Sequence, residues 1–201
     1  MYKAIIFDLG GVLVQFDFGR AYRALAEVCP YAEGASSERI AGAGLVERFE
    51  TGLVEPGDFF AQLSRTLELR LDYEGFCRIW NHIFTGPLIP EKMLRGLASR
   101  YRLLLLSNTN AIHFEMIRRA YPMLRHFQEL VLSYEVRALK PQPEIFRVAI
   151  ERAGCRPEEC FYTDDTAAHV EAARALGIDA VRFVDRAGLE REMSARGIRW
   201  D

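Results

Sequence analysis

Apolar residues fall along this chain in two rhythms. Short continuous runs at 4–8, 103–107, 130–133, 160–163 and 180–184 have the length and composition of buried strands, and each of the last four follows a segment with helical spacing. In 143–153, for example, Ile145, Phe146, Ala149, Ile150 and Ala153 form one stripe and Gly154 supplies the stop. The segment 170–176 repeats the arrangement before Gly177, and the stretch beyond Ala187 reads as a last amphipathic helix ending near Gly197. Such alternation predicts an α/β fold: a doubly wound, parallel, five-stranded Rossmann-like sheet covered on both faces.

Between 16 and 88 the pattern changes to helices only, at 19–29, 37–50, 56–68 and 73–85, punctuated by Gly52, Pro56-Gly57 and Gly86-Pro87. This stretch is too long for a loop of a compact domain, so it predicts a helical insertion packed over the sheet. The expected organisation is therefore a core of residues 1–15 and 89–201 with an inserted helical unit at 16–88.

Composition narrows the partners. Half of the 201 residues are hydrophobic and the formal net charge is −2, which gives no electrostatic reason to expect nucleic acid or an anionic membrane surface. The most apolar strand, residues 103–106, is far shorter than the roughly 20 residues needed to span a bilayer. Cys29, Cys77, Cys155 and Cys160 follow no CxxC or Cys/His zinc spacing, and His82, His113, His126 and His169 are scattered, so reduced thiols in a cytoplasmic protein without a signal peptide are expected. Only three of the 26 basic residues are lysine, which marks out Lys140 as a site that wants a compact ammonium.

Candidate chemistry sits at the strand ends. Asp8 closes the first run and is followed by Leu9-Gly10-Gly11, the place where open α/β sheets gather ligands. Ser107-Asn108-Thr109-Asn110 follows the second run, with hydroxyls and backbone N–H groups suited either to phosphate oxygens or to capping a helix. Lys140 lies in Leu139-Lys140-Pro141-Gln142-Pro143, where Pro141 favours an extended backbone at Lys140 and so fixes where its side chain begins. Asp164-Asp165 follows the fourth run; adjacent carboxylates repel, so a cation or cationic neighbour would stabilise them. With Asp8 they form an all-oxygen set suited to Mg²⁺. Alone, each segment also reads blandly, as a turn, a cap, a solvated lysine or an exposed acidic loop.

Together, the four segments in this order resemble the haloacid dehalogenase (HAD) superfamily of aspartate-nucleophile phosphohydrolases. Phe7-Asp8-Leu9-Gly10-Gly11-Val12 is similar to its first motif, Leu106-Ser107-Asn108 to the second, Leu139-Lys140-Pro141 to the third, and Thr163-Asp164-Asp165 with Val170-Glu171-Ala172-Ala173 to the fourth. The helical insertion resembles the family's small helical cap. Asp17-Phe18-Gly19-Arg20 and Phe49-Glu50-Thr51-Gly52 are similar to a branch of bacterial sugar-phosphate phosphatases that includes glucose-1-phosphate phosphatases.

The resemblance implies that Asp8 attacks phosphorus to give an aspartyl-phosphate that water then hydrolyses. It implies Mg²⁺ held by Asp8, the Gly10 carbonyl and Asp165, with Asp164 acting through water or by holding Lys140. Ser107 and Asn108 receive the phosphoryl oxygens, Lys140 offsets their charge, and Asp17, Arg20 and Glu50 contact the substrate from the cap. The implied substrate is a small phosphorylated metabolite, a sugar phosphate above all. Two positions depart from the family. Gly10 stands where a second aspartate usually protonates the leaving oxygen, a contribution of about 10² to 10⁴ in rate; Asp17 or Glu50, a water, or an undemanding leaving group would have to replace it. His169 stands where Asn or Asp is common and is read as a helix-surface histidine. A 2-haloacid dehalogenase and a catalytically silent binding module are the competing readings. The Asp164-Asp165 pair counts against the first, since that chemistry needs no metal, and retention of Asp8, Ser107 and Lys140 counts against the second.

Overall fold

All 201 residues are described by the structure, a computed structural model. The chain runs β1 (Ala4–Phe7), β2 (Val14–Phe16), α1 (Phe18–Ala26), α2 (Glu33–Gly42), α3 (Leu45–Glu50), α4 (Pro56–Leu67), α5 (Tyr73–Asn81), β3 (Phe84–Pro87), α6 (Glu91–Ala98) and β4 (Arg102–Ser107). It continues through α7 (Ala111–Ala120), β5 (Glu129–Leu132), α8 (Ser133–Val136), α9 (Pro143–Ala153), β6 (Cys160–Asp164), α10 (Ala167–Ala175), β7 (Asp179–Arg182) and α11 (Arg186–Ala195).

Five strands form one parallel sheet in the order β5-β4-β1-β6-β7. The sheet is buried on both faces, and its strands show this by strict alternation. Ile5, Phe7, Leu103, Leu105 and Phe161 face one helical layer, which includes Leu94, Leu97 and Ile117. Ala4, Ile6, Leu104, Leu106 and Tyr162 face the other, with Ile145, Phe146 and Val170. Each fully buried leucine of β4 contributes about 2 kcal/mol, so this strand anchors the fold. Because β1 lies between β4 and β6, the chain departs to opposite sides beyond its carboxyl end, and a crevice opens there.

The helices α1 to α5 build a third cluster around Leu25, Phe49, Phe59, Phe76 and Trp80, in which the rings of Phe49 and Phe59 stack 4.1 Å apart. Ile112, the second residue of α7, belongs to this cluster, so the sheet domain lends a side chain to the helical unit. At the far side Gly52, with φ of +66°, passes so close to the Tyr134 carbonyl that a Cβ would sit 2.0 Å from its oxygen. No helix is long and apolar enough to cross a membrane.

Two features of the insertion differ from the sequence pattern. The segment expected as one helix at 37–50 is two, α2 and α3, separated at Ala43-Gly44. The helix expected at 73–85 stops at Asn81, and Phe84–Pro87 instead pairs antiparallel with Val14–Phe16 as a two-stranded ribbon through which the chain leaves and re-enters the sheet domain. Strands of three and four residues are too short to show a period-2 signal, and Gly86-Pro87 reads as a turn.

Candidate active site

The continuous apolar run of β1 carries Asp8 to the crevice, where 7% of its surface remains exposed. Its Oδ1 accepts hydrogen bonds from the Leu9 N–H (2.7 Å) and the Lys140 ammonium (2.7 Å), which leaves Oδ2 without a protein partner. Burial pushes the Asp8 carboxyl up to about 7, a tendency that the Lys140 charge opposes.

Lys140 lies between two carboxylates, for its Nζ also donates to Asp164 Oδ2 at 2.7 Å. Burial disfavours the ammonium, but Asp8 and Asp164 outweigh that penalty and raise its pKa above the ordinary lysine value. Asn108 places this lysine from β4: its side-chain amide donates to the Lys140 carbonyl (3.0 Å) and accepts from the Lys140 N–H (2.8 Å). The side chain of Asn108 is thereby spent on Lys140. Its backbone N–H, which donates to no protein acceptor, is the part left for an anion. Ser107 is 1% exposed, and its hydroxyl makes only a long 3.3 Å contact to the Asn108 carbonyl, so it can turn to a ligand. Ser133 staples the same loop, accepting from the Thr109 N–H (2.9 Å) and donating to the Thr109 carbonyl (3.0 Å).

Asp164 is wholly buried and fully engaged. Its Oδ1 accepts from the Thr166 N–H (2.8 Å) and from His169 Nδ1 (3.0 Å), and its Oδ2 from Lys140 and the Tyr162 hydroxyl. Burial works against ionisation, yet the bonds from His169, Lys140 and Tyr162 prevail and hold this carboxyl well below the usual range. The reading of His169 as a surface residue is therefore corrected: the first turns of α10 aim its ring at Asp164, and only 16% of the side chain is exposed. Tyr162 was missed although a signal existed, since residues two apart on a strand share a face.

Asp165 is less committed. It packs against Gly11, φ +74°, where a Cβ would lie 2.3 Å from Asp165 Oδ2. Oxygens of Asp8, Asp164 and Asp165 lie within 4.8 Å of one another, and the Gly10 carbonyl accepts no backbone hydrogen bond. Hard, anionic oxygens beside a free carbonyl fit Mg²⁺, with Asp8, Asp165 and Gly10 as the available ligands and Asp164 saturated by its donors.

Above Gly10 stands the ring of Phe16, at the end of β2; a Cβ on residue 10 would lie 2.8 Å from Phe16 Cε1. The ring thus fills the space that a longer residue would use to reach over Asp8. The insertion's three polar candidates, Asp17, Arg20 and Glu50, make no hydrogen bond or ion pair with the carboxylates of this cluster. Asp17 caps α1, accepting from the Gly19 N–H (2.9 Å) with Arg23 at 3.5 Å, so its carboxylate is committed to the start of this helix. Arg20 meets His82 Nε2 at 2.8 Å within the helical unit. Glu50 is half-buried and its carboxyl is pushed up to about 7 by burial, with Glu47 adding to the rise. A broad recess of about 950 Å³ between α5 and α7, lined by Tyr73, Asn81, Glu115 and Arg119, touches none of the carboxylates of the cluster.

The arrangement can present one free carboxylate oxygen beside an ammonium, a cation-binding set and exposed N–H groups to a small anion. Residues 2–177 match the family model of the haloacid dehalogenase-like hydrolases. D-ribitol-5-phosphate phosphatase of Bacteroides thetaiotaomicron is 27% identical, over 96% of this chain and 98% of that one. A phosphorylated carbohydrates phosphatase of Thermotoga maritima is 28% identical, over 89% of this chain and 83% of its own. Among solved structures, a HAD family enzyme of Bacteroides thetaiotaomicron in complex with magnesium and inorganic phosphate superposes with a TM-score of 0.85 at 29% identity, covering 94% of this chain and 99% of that one.

Proposed function

Because this chain belongs to the haloacid dehalogenase-like hydrolases, we propose that it is a Mg²⁺-dependent phosphatase that hydrolyses a small phosphorylated sugar or sugar alcohol through an aspartyl-phosphate at Asp8. The observation that carries the reading is the one-sided engagement of Asp8: Oδ1 is fixed by Leu9 and Lys140 while Oδ2 is free. The named activities of the two relatives support the substrate class, and the magnesium and phosphate in the related structure support the cofactor.

In this reading Asp8 Oδ2 forms the new bond to phosphorus as the ester oxygen leaves, and water then cleaves the acyl phosphate to regenerate Asp8. Lys140, the Asn108 N–H and the Ser107 hydroxyl receive the phosphoryl oxygens, a set of donors held by the fold in which only the Ser107 hydroxyl has to rotate. Asp8, Asp165 and the Gly10 carbonyl would hold Mg²⁺, which when bound would supply positive charge against the phosphoryl group and favour the ionised form of Asp8. The departing oxygen takes its proton from Glu50, which burial keeps largely protonated below about pH 7, rather than from Asp17. The inserted unit at 16–88 acts as the cap that excludes water and contacts the substrate's hydroxyls.

Phosphate release should be measured across sugar and polyol phosphates with Mg²⁺ and after chelation. Turnover of at least one of them, lost in Asp8→Asn and on removal of the metal, is expected. A null across the panel at matched Mg²⁺ would replace this reading with a binding module.

A further inference from the structure

Outside the site, one pair of nucleophilic side chains is used by none of the chemistry above. Cys155 follows the last turn of α9 and Cys160 opens β6, with only Arg156-Pro157-Glu158-Glu159 between them. Their sulfurs lie 3.5 Å apart. A disulfide needs about 2.05 Å, so the gap to be closed is on the order of 1.5 Å, within reach of a rotamer adjustment and a small shift of the intervening turn. Cys29 and Cys77 differ: both lie in the helical unit, and Cys29 Sγ meets the Ser36 hydroxyl at 3.3 Å.

The two thiols have unequal access. Cys160 is fully buried, whereas Cys155 is partly exposed on the wall of a surface recess of about 510 Å³ shared with Lys3, Gly154, Arg156 and Glu159. Burial also pushes the Cys160 thiol up, so Cys155 is the one an external reagent meets first. An accessible thiol with a buried partner in contact is the arrangement of an attacking and a resolving cysteine.

We propose that Cys155 and Cys160 form a reversible thiol–disulfide site whose oxidant is a low-molecular-weight disulfide of the glutathione class. The Cys155 thiolate attacks one sulfur of that disulfide, forming a mixed disulfide and expelling one thiolate. Cys160 then loses its proton to solvent and its thiolate attacks Cys155 Sγ, forming the internal bond and expelling the second thiolate, which takes up a proton from solvent. Two protein thiols are oxidised and one external disulfide is reduced, so atoms and electrons balance. The bond ties the end of α9 to the start of β6, at the amino end of a strand whose carboxyl end carries Asp164, and leaves the carboxylate cluster untouched.

The full-length reduced protein is incubated with oxidised glutathione under native conditions, quenched with acid, and its free thiols are counted after unfolding. Arg156 precedes a proline, so trypsin leaves both cysteines in one peptide, and further cleavage after Glu158 or Glu159 separates them. The expected result is a fall from four free thiols to two, a tryptic peptide lighter by two hydrogens, and two fragments that stay joined until a reductant is added. In Cys160→Ala the glutathione adduct should instead accumulate on Cys155. Retention of four thiols, a different linked pair, or a wild-type product that stops at the mixed disulfide would overturn the proposal.

Discussion

The ring of Phe16 stands over Gly10, 2.8 Å from where a Cβ on that residue would be. The pair is one packing unit: the glycine makes room for the ring, and the ring closes the space that the glycine leaves. Gly10→Ala is therefore expected to cost about 1 kcal/mol by overpacking, and Phe16→Ala should abolish that cost in the double variant. Urea unfolding of the four proteins of this cycle checks the coupling; additive effects would show that the two positions are independent.

Glu50 is assigned the proton that residue 10 cannot give. Glu50→Gln should lower kcat/KM by about 10² on alkyl phosphates and leave p-nitrophenyl phosphate nearly unchanged, since a nitrophenolate departs without protonation. An equal loss on both substrates would point to substrate binding instead.

Asn108 and Lys140 are joined by two hydrogen bonds across 32 positions of sequence. Asn108→Ala should destabilise the fold by about 1–3 kcal/mol, because it leaves the Lys140 N–H and carbonyl unpaired beside the site. Its turnover should fall with little change in KM. Chemical denaturation and steady-state kinetics on the same preparation test both parts.

His169 holds Asp164, which in turn holds Lys140, so it is a positioning residue. His169→Ala should lower kcat by about 10- to 100-fold while KM stays close to wild type. His169→Asn, whose amide can still donate to Asp164, should recover most of the loss. Equal damage in the two variants would exclude positioning through a hydrogen bond.

Acid should part the helical unit from the sheet domain. His113 of α7 is buried, stacked on Trp80 (5.5 Å), crossed edge-on by Phe84 (5.2 Å) and 3.1 Å from the Asn81 side-chain oxygen, and burial pushes its pKa down to about 3. A base with a lowered folded pKa binds its proton more readily when unfolded. Its share of stability is thus intact above about pH 6.5 and drains at about 1.4 kcal/mol per pH unit as pH falls toward 3. Unfolding monitored by tryptophan fluorescence should show this slope in the wild type and a shallower one in His113→Gln.

Much of this was legible in the sequence because it is local. A continuous apolar run ending in Asp8 or Asp164 announces both the strand and the place where its last side chain emerges, and the helical stripes between runs announce the parallel sheet. What escaped depends on long-range packing. That the Asn108 side chain holds Lys140 across 32 positions is invisible until the two loops are seen to meet. His169 reads as a surface residue until the docking angle of α10 turns it towards Asp164. Phe16 looks like the last residue of an apolar stretch; only the ribbon of β2 and β3, formed by partners some seventy residues apart, sets its ring above Gly10.

The loan of Ile112 and His113 from α7 to the helical unit bears on how this protein can be recombined. A chimaera that swaps residues 16–88 for the corresponding segment of a relative would leave those two side chains facing a foreign surface, one apolar and one unable to accept charge. Grafts intended to change substrate range should therefore carry the first turn of α7 with the donor segment, even though it lies outside the exchanged stretch of chain.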